Sequence, residues 1–116
     1  ELQTWVVLDE IPASDPEYTC LADQTFEDEM NLEWQGHFFR LFEIPGHSQG
    51  SIGILLDGKE FFSGDSLMEN SEIELRMPGG SRKKWREIGS KRVDAIPEGT
   101  RIWPGHFECF ILTEPV

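Results

Sequence analysis

"IPGHSQGSIGILLDGKEFFSGDSLM", residues 44–68, decides how the rest of the chain is read. Its two apolar runs, "SIGILL" and "KEFFSG", are joined by Asp57-Gly58, the strongest short-range hairpin signal in the sequence. At each end of this hairpin a turn carries a side chain able to do chemistry. Pro45-Gly46 sets His47 on a tight turn, and Asp65 follows directly on "FFSG". Histidine and aspartate on glycine-bearing turns at strand ends are typical of sites grafted onto a rigid sheet.

Working outward, "HFFRLFEI" (37–44) reads as the strand that leads into the His47 turn, and "TWVVLDE" (4–10) as a short buried strand. Between them lie a turn-rich loop, "PASDPEY" (12–18), and "CLADQTFEDEM" (20–30), read as an acidic helix. Beyond Asp65 a loop reaches Ser81, the expected N-cap of a basic helix in "SRKKWREIGSKR" (81–92). "TRIW" (100–103) reads as the final strand, ending at "PGHFECF" (104–110), which supplies His106. Strands interleaved with helices predict an α/β layering. His37 begins a strand with no evident partner and reads as structural or exposed.

Length and charge narrow the function classes. At 116 residues the chain is expected to form one domain. Its net charge of −12 repels phosphate backbones, so nucleic acid is excluded as a partner. No window approaches the roughly 18 apolar residues of a membrane span. Six of the ten basic residues fall in 81–92, which reads as the wet outer face of a helix packed on the sheet. Cys20 and Cys109 show no metal-type spacing and are expected to be reduced, small core residues in a cytoplasmic protein. The chain opens at Glu1 without a methionine or a signal peptide, which suggests missing upstream sequence.

Singly, each candidate has a plain explanation, since a turn histidine usually only hydrogen-bonds and an aspartate after glycine usually serves the turn. Together they are more pointed. "PGH" occurs at 45–47 and again at 104–106. Two imidazoles and a carboxylate form a good ligand set for a borderline cation such as Zn²⁺, and a carboxylate can bridge two ions.

The three ordered turns "PGHSQGS", "SGDSLM" and "PGHFE" resemble the C-terminal half of the metallo-β-lactamase-fold hydrolases, above all their glyoxalase II-like and lactonase-like branch. The resemblance implies half of an αβ/βα sandwich, a mixed β-sheet with flanking helices. It also implies that His47 ligates a first metal, His106 a second, and Asp65 both, with Asp65 as the catalytic residue of this half. The family's metals are zinc, or iron or manganese in some branches. They activate water against an ester, thioester or lactone carbonyl of a small-molecule substrate. Asp65 in place of cysteine argues against the true β-lactamases. Ser48 and Gln49 are mild departures in the first turn. Phe107 stands where glycine is common and is expected to crowd the mouth of the site.

The family's H-x-H-x-D-H motif, which carries four further ligands, does not occur in these 116 residues. The resemblance therefore implies a truncated hydrolase, inactive as an isolated chain. The alternative is a non-catalytic binding or scaffold module, or a homodimer that completes the sheet packing. Arg76 and the basic helix are possible contacts for an anionic substrate.

Overall fold

A computed structural model describes residues 21–113. The expected strand at 4–10, the loop at 12–18 and Cys20 lie outside the described residues. Among the described residues six strands form one sheet: β1 (Glu29–Trp34), β2 (His37–Glu43), β3 (Ile52–Leu56), β4 (Glu60–Gly64), β5 (Arg101–Pro104) and β6 (Phe110–Ile111). They lie side by side in sequence order, antiparallel throughout except that β4 and β5 run parallel. A parallel pair requires a crossover, and the segment between β4 and β5 contains the helix. That helix is composite, with α1 (Arg82–Lys84), a π-helical turn (Trp85–Gly89) and α2 (Ser90–Asp94).

The Asp57-Gly58 hairpin forms as expected. Both residues have positive φ (53° and 67°), and Lys59 N–H closes the turn on Leu56 O at 3.0 Å. Ser81 caps the helix, its hydroxyl accepting from Lys84 N–H at 3.1 Å.

The acidic helix expected at 20–30 is not present among the described residues; 21–28 are irregular and β1 begins at Glu29. Gln35 and Gly36, with φ of 50° and 81°, form a two-residue turn that pairs Trp34 with His37 and Met30 with Leu41. Only Glu29 and Met30 of the 20–30 stretch join the strand, where the alternation of Met30, Leu32 and Trp34 and the pairing with β2 override helical propensity. β5 is not the final strand either, because Phe110 returns to pair with Ile102. Cys109 is free and exposed, not a core residue. His37 does have a partner: its Nδ1 lies 2.7 Å from Asp57 Oδ2, while Asp57 Oδ1 accepts from Phe38 N–H at 2.8 Å. Those bonds, the backbone one foremost, hold the Asp57 carboxyl below its ordinary pKa.

Directly paired residues share a face of the sheet, so Phe42, Phe61 and Ile102 point the same way, toward the helix. With Ile44, Val93 and Ile96 they make the buried core, and the Phe42 and Phe61 rings stack at 5.7 Å. Phe61, Ile44 and Ile102 are fully buried, each contributing about 1.5–3 kcal/mol by leaving water. Arg92 ties the helix to the sheet by donating to Glu43 O at 2.7 Å and to the Asp28 carboxylate.

The opposite face is also apolar. Leu32, Trp34, Phe62, Trp103 and Ile111 point from it and are exposed, with Phe62 and Trp103 stacked at 6.4 Å. Among the described residues no helix is long and apolar enough to cross a membrane.

Candidate metal centre

β2, β4 and β5 run in the same direction, so the turns that follow them emerge at one end of the sheet. Those turns carry His47, Asp65 and His106. The chain direction alone therefore gathers three residues that are 18 and 41 positions apart in sequence.

The first turn is held by its own serines and by the helix. Ile44 N–H donates to Ser51 O at 2.8 Å, and the Ser48 and Ser51 hydroxyls bond at 2.7 Å. Ser48, a departure from the family pattern, thus preserves the turn. From the helix side, Ser81 N–H donates to Gly46 O at 2.8 Å. The second and third turns meet edge to edge, with Gly105 N–H donating to Gly64 O at 2.7 Å. Gly105 has no room for a side chain there: a Cβ would lie 2.6 Å from Asp65 Oδ1.

The three side chains converge. His47 Nε2 lies 3.3 Å from Asp65 Oδ2, and His106 Nε2 lies 3.3 Å from Asp65 Oδ1. All three are part-exposed, at 25%, 30% and 41% for His47, Asp65 and His106, so the cluster opens to solvent. Each carboxylate oxygen serves a different imidazole. Accordingly, among the described residues no group of three His, Cys, Asp or Glu side chains is disposed to hold one ion by itself. The arrangement is two donor pairs sharing a carboxylate.

The donor set fits a metal. Two ligands at about 2.05 Å from a tetrahedral ion stand about 3.3 Å apart, the separation within each pair. His47 Nδ1 lies 2.7 Å from the backbone carbonyl of Glu74, and a carbonyl can only accept. The proton is therefore on Nδ1, and a neutral His47 turns the lone pair of Nε2 toward an anionic oxygen. Such a contact is attractive only with a cation, proton or metal, between the two. Donation from a ligating histidine to a backbone carbonyl is also the usual way in which ring tautomer and orientation are fixed.

Sequence reasoning missed Glu74. Its carboxylate takes Arg76 Nε and Nη2 at 3.1 and 3.0 Å and the Arg76 backbone N–H at 2.7 Å. The Arg76 side-chain bonds, then the backbone bond, lower the Glu74 pKa to about 2. The Arg76 guanidinium, considered for an anionic substrate, pairs here with Glu74, whose backbone carbonyl faces His47. The "ELR" spacing offers a local ion pair but not its direction. Phe107 stands beside His106 at the rim of the site. It is 73% exposed, in the left-handed region at φ 68°, with its ring edge-on to His106 at 6.5 Å. A φ of that sign is one that glycine adopts without strain.

The fold is of the metallo-β-lactamase type, and comparison with known proteins agrees. No protein-family model matches the chain. Two hydroxyacylglutathione hydrolases do. The one from Alkalilimnicola ehrlichii is 34% identical over 67 residues, 58% of this chain and 25% of the relative. The one from Photobacterium profundum is 30% identical over 95 residues, 82% of this chain and 35% of the relative. Among solved structures, the B3 metallo-β-lactamase BLEG-1 aligns with a TM-score of 0.69 at 27% identity, covering 78% of this chain and 44% of that one. TTHA1623 in a di-iron-bound form gives 0.65 at 31% identity over 79% of this chain and 44% of that one. The chain has the metallo-β-lactamase fold and is a partial-length match to that superfamily, on its glyoxalase II side. It spans between a quarter and about a third of the length of the curated relatives.

Proposed function

We propose that this chain is a single domain, 1–116, corresponding to the C-terminal half of a metal-dependent hydrolase, with His47 ligating one metal, His106 a second, and Asp65 both. The observation that carries the reading is the Asp65 carboxylate shared between two imidazole Nε2 atoms, each at 3.3 Å. The metal would be zinc, iron or manganese; when bound it would polarise a carbonyl and lower the pKa of water so that hydroxide is available as the nucleophile near neutral pH. The chain's own residues orient the ligands: Glu74 O fixes the His47 tautomer, and Gly105 leaves space for Asp65. The substrate class is a small-molecule thioester of the kind hydroxyacylglutathione hydrolases act on, or a related ester or lactone. With a net charge of −12 the chain has no nucleic-acid role, and a cytoplasmic location accords with that substrate class.

The remaining ligands belong to a complementary layer docked on the apolar face that exposes Trp34, Phe62 and Trp103. Two ligands per ion, one of them shared, bind weakly, so the chain by itself takes up metal with low affinity and turns over no substrate. A second reading, a non-catalytic homodimer in which another copy covers that face, is favoured by the same exposed aromatic residues.

Zinc titration of ¹⁵N-labelled protein, with mass measured on the same sample, tests both readings. Saturable shifts centred on His47, Asp65 and His106, abolished by Asp65→Ala, are expected. Equal uptake by Asp65→Ala, or no shifts at those residues, would refute the metal reading. Twice the chain mass with no shifts would leave the homodimer.

A further inference from the structure

The helix departs from α geometry where it faces the His47 turn. Ser90 N–H bonds to Trp85 O, five residues back, in place of Arg86 O. The Ser90 hydroxyl takes the Arg86 carbonyl thus released, at 3.2 Å. Serine at 90 therefore satisfies a backbone group that the wider turn would leave without its helical partner.

This wider turn lies against the Pro45-Gly46 peptide. Gly89 meets it so closely that a Cβ would stand 2.3 Å from Pro45 O. Trp85 covers Gly46, where a Cβ would stand 2.7 Å from Trp85 Cβ. Ser81 N–H, one turn earlier, holds Gly46 O at 2.8 Å. Residues 81, 85 and 89 recur at spacings of four, along one face of the helix, and all three grip the peptide immediately before His47.

We propose that the π-helical turn Trp85–Gly89, supported by Ser90, is a positioning element that aims His47, with Gly89 and Trp85 as positioning residues. Its consequence for metal rests on the reading of His47 as a ligand; its consequence for the His47 ring does not. A regular α-turn would shift the Gly89 backbone relative to Pro45. The imidazole would then lose its alignment with Glu74 O, 2.7 Å from Nδ1, and the ring tautomer would no longer be fixed.

The test compares full-chain variants by long-range ¹H–¹⁵N spectra of the His47 ring in metal-free protein at alkaline pH, and by zinc titration. Wild type is expected to show one tautomer, protonated at Nδ1. Gly89→Ala should give a mixture of tautomers and at least a tenfold weaker zinc affinity. Ser90→Ala, a milder change that keeps the core, should move both readouts the same way by less. Trp85→Phe, which keeps a ring over Gly46, should retain the wild-type tautomer. Ile96→Val lowers stability from the core just beyond the far end of the helix and should move neither readout. A folded Gly89→Ala or Ser90→Ala protein with the wild-type tautomer overturns the proposal, as does a mixture of tautomers in Ile96→Val. If the variants scramble the tautomer but wild type takes up no zinc, the positioning role stands and the metal reading falls.

Discussion

Gly105→Ala separates the shaping of the site from the stability of the fold. The new Cβ would sit 2.6 Å from Asp65 Oδ1, about 0.8 Å short of the 3.4 Å of ordinary contact; its next neighbours, Gly64 C and O, lie at 3.3 and 3.4 Å. The only atom that must move is therefore the end of a side chain, and the backbone is left nearly as it was. Alanine restricts the unfolded chain, worth about 0.4–1 kcal/mol in favour of the fold, so the variant should unfold no more easily than wild type. The carboxylate has less freedom, because its two oxygens face imidazoles at 3.3 Å on either side. Metal–ligand distances tolerate about 0.2 Å, and displacing a ligand by several times that should weaken zinc binding by roughly 10–100-fold, or about 1.4–2.7 kcal/mol. Urea denaturation and zinc titration on one preparation give both quantities. Unchanged affinity would show that Asp65 is not the shared ligand; a stability loss above about 2 kcal/mol would show that Gly105 serves the backbone instead.

Other perturbations probe the core, the rim and the clip behind His47. Ile102→Val removes one methylene from a fully buried position and should cost about 0.5–1.5 kcal/mol in urea; a smaller loss would mean the helix settles onto the sheet. Phe107→Gly relieves a left-handed backbone at φ 68°, worth about 1–2 kcal/mol, against about 1 kcal/mol of added chain freedom. Its stability should change by less than about 1 kcal/mol, and a larger loss would assign real packing to the ring beside His106. Glu74 titrates at about 2 when folded against an ordinary 4.5. Its contribution is thus complete above pH 4.5 and is lost as pH falls toward 2. Glu74→Gln should flatten that part of the stability–pH curve, read from urea midpoints at stepped pH, and an unaltered slope would count against the Arg76 clip.

Much of the layout was legible because it is written locally. Asp57-Gly58 dictates its own turn, Ser81 its own cap, and the glycine-bearing turns at 46, 64 and 105 mark where strands stop and side chains are presented. The resemblance then suggested which three of those side chains meet, and strand direction brings them to one end of the sheet. What escaped reading depends on distant partners. Residues 20–30 are acidic enough to pass for a helix, though only Glu29 and Met30 of them go on to pair with β2, and β6 is two residues long, visible only through Ile102. The π-turn packs Gly89 against Pro45, 44 positions away, a contact no local pattern carries. The His37–Asp57 contact joins the tips of two hairpins, and no local pattern announces it.

The sheet's strand order has a kinetic consequence. β1 to β4 form a meander in which every pairing is between neighbours in sequence, so these contacts close small loops and should form early. His47 and Asp65 flank the β3–β4 hairpin and are brought near one another in that first phase. His106 waits for β5, whose parallel docking on β4 requires residues 65–100 to cross over and seat the helix against the core. One donor pair is thus available while the protein is still folding, and the other appears only with the last long-range contact.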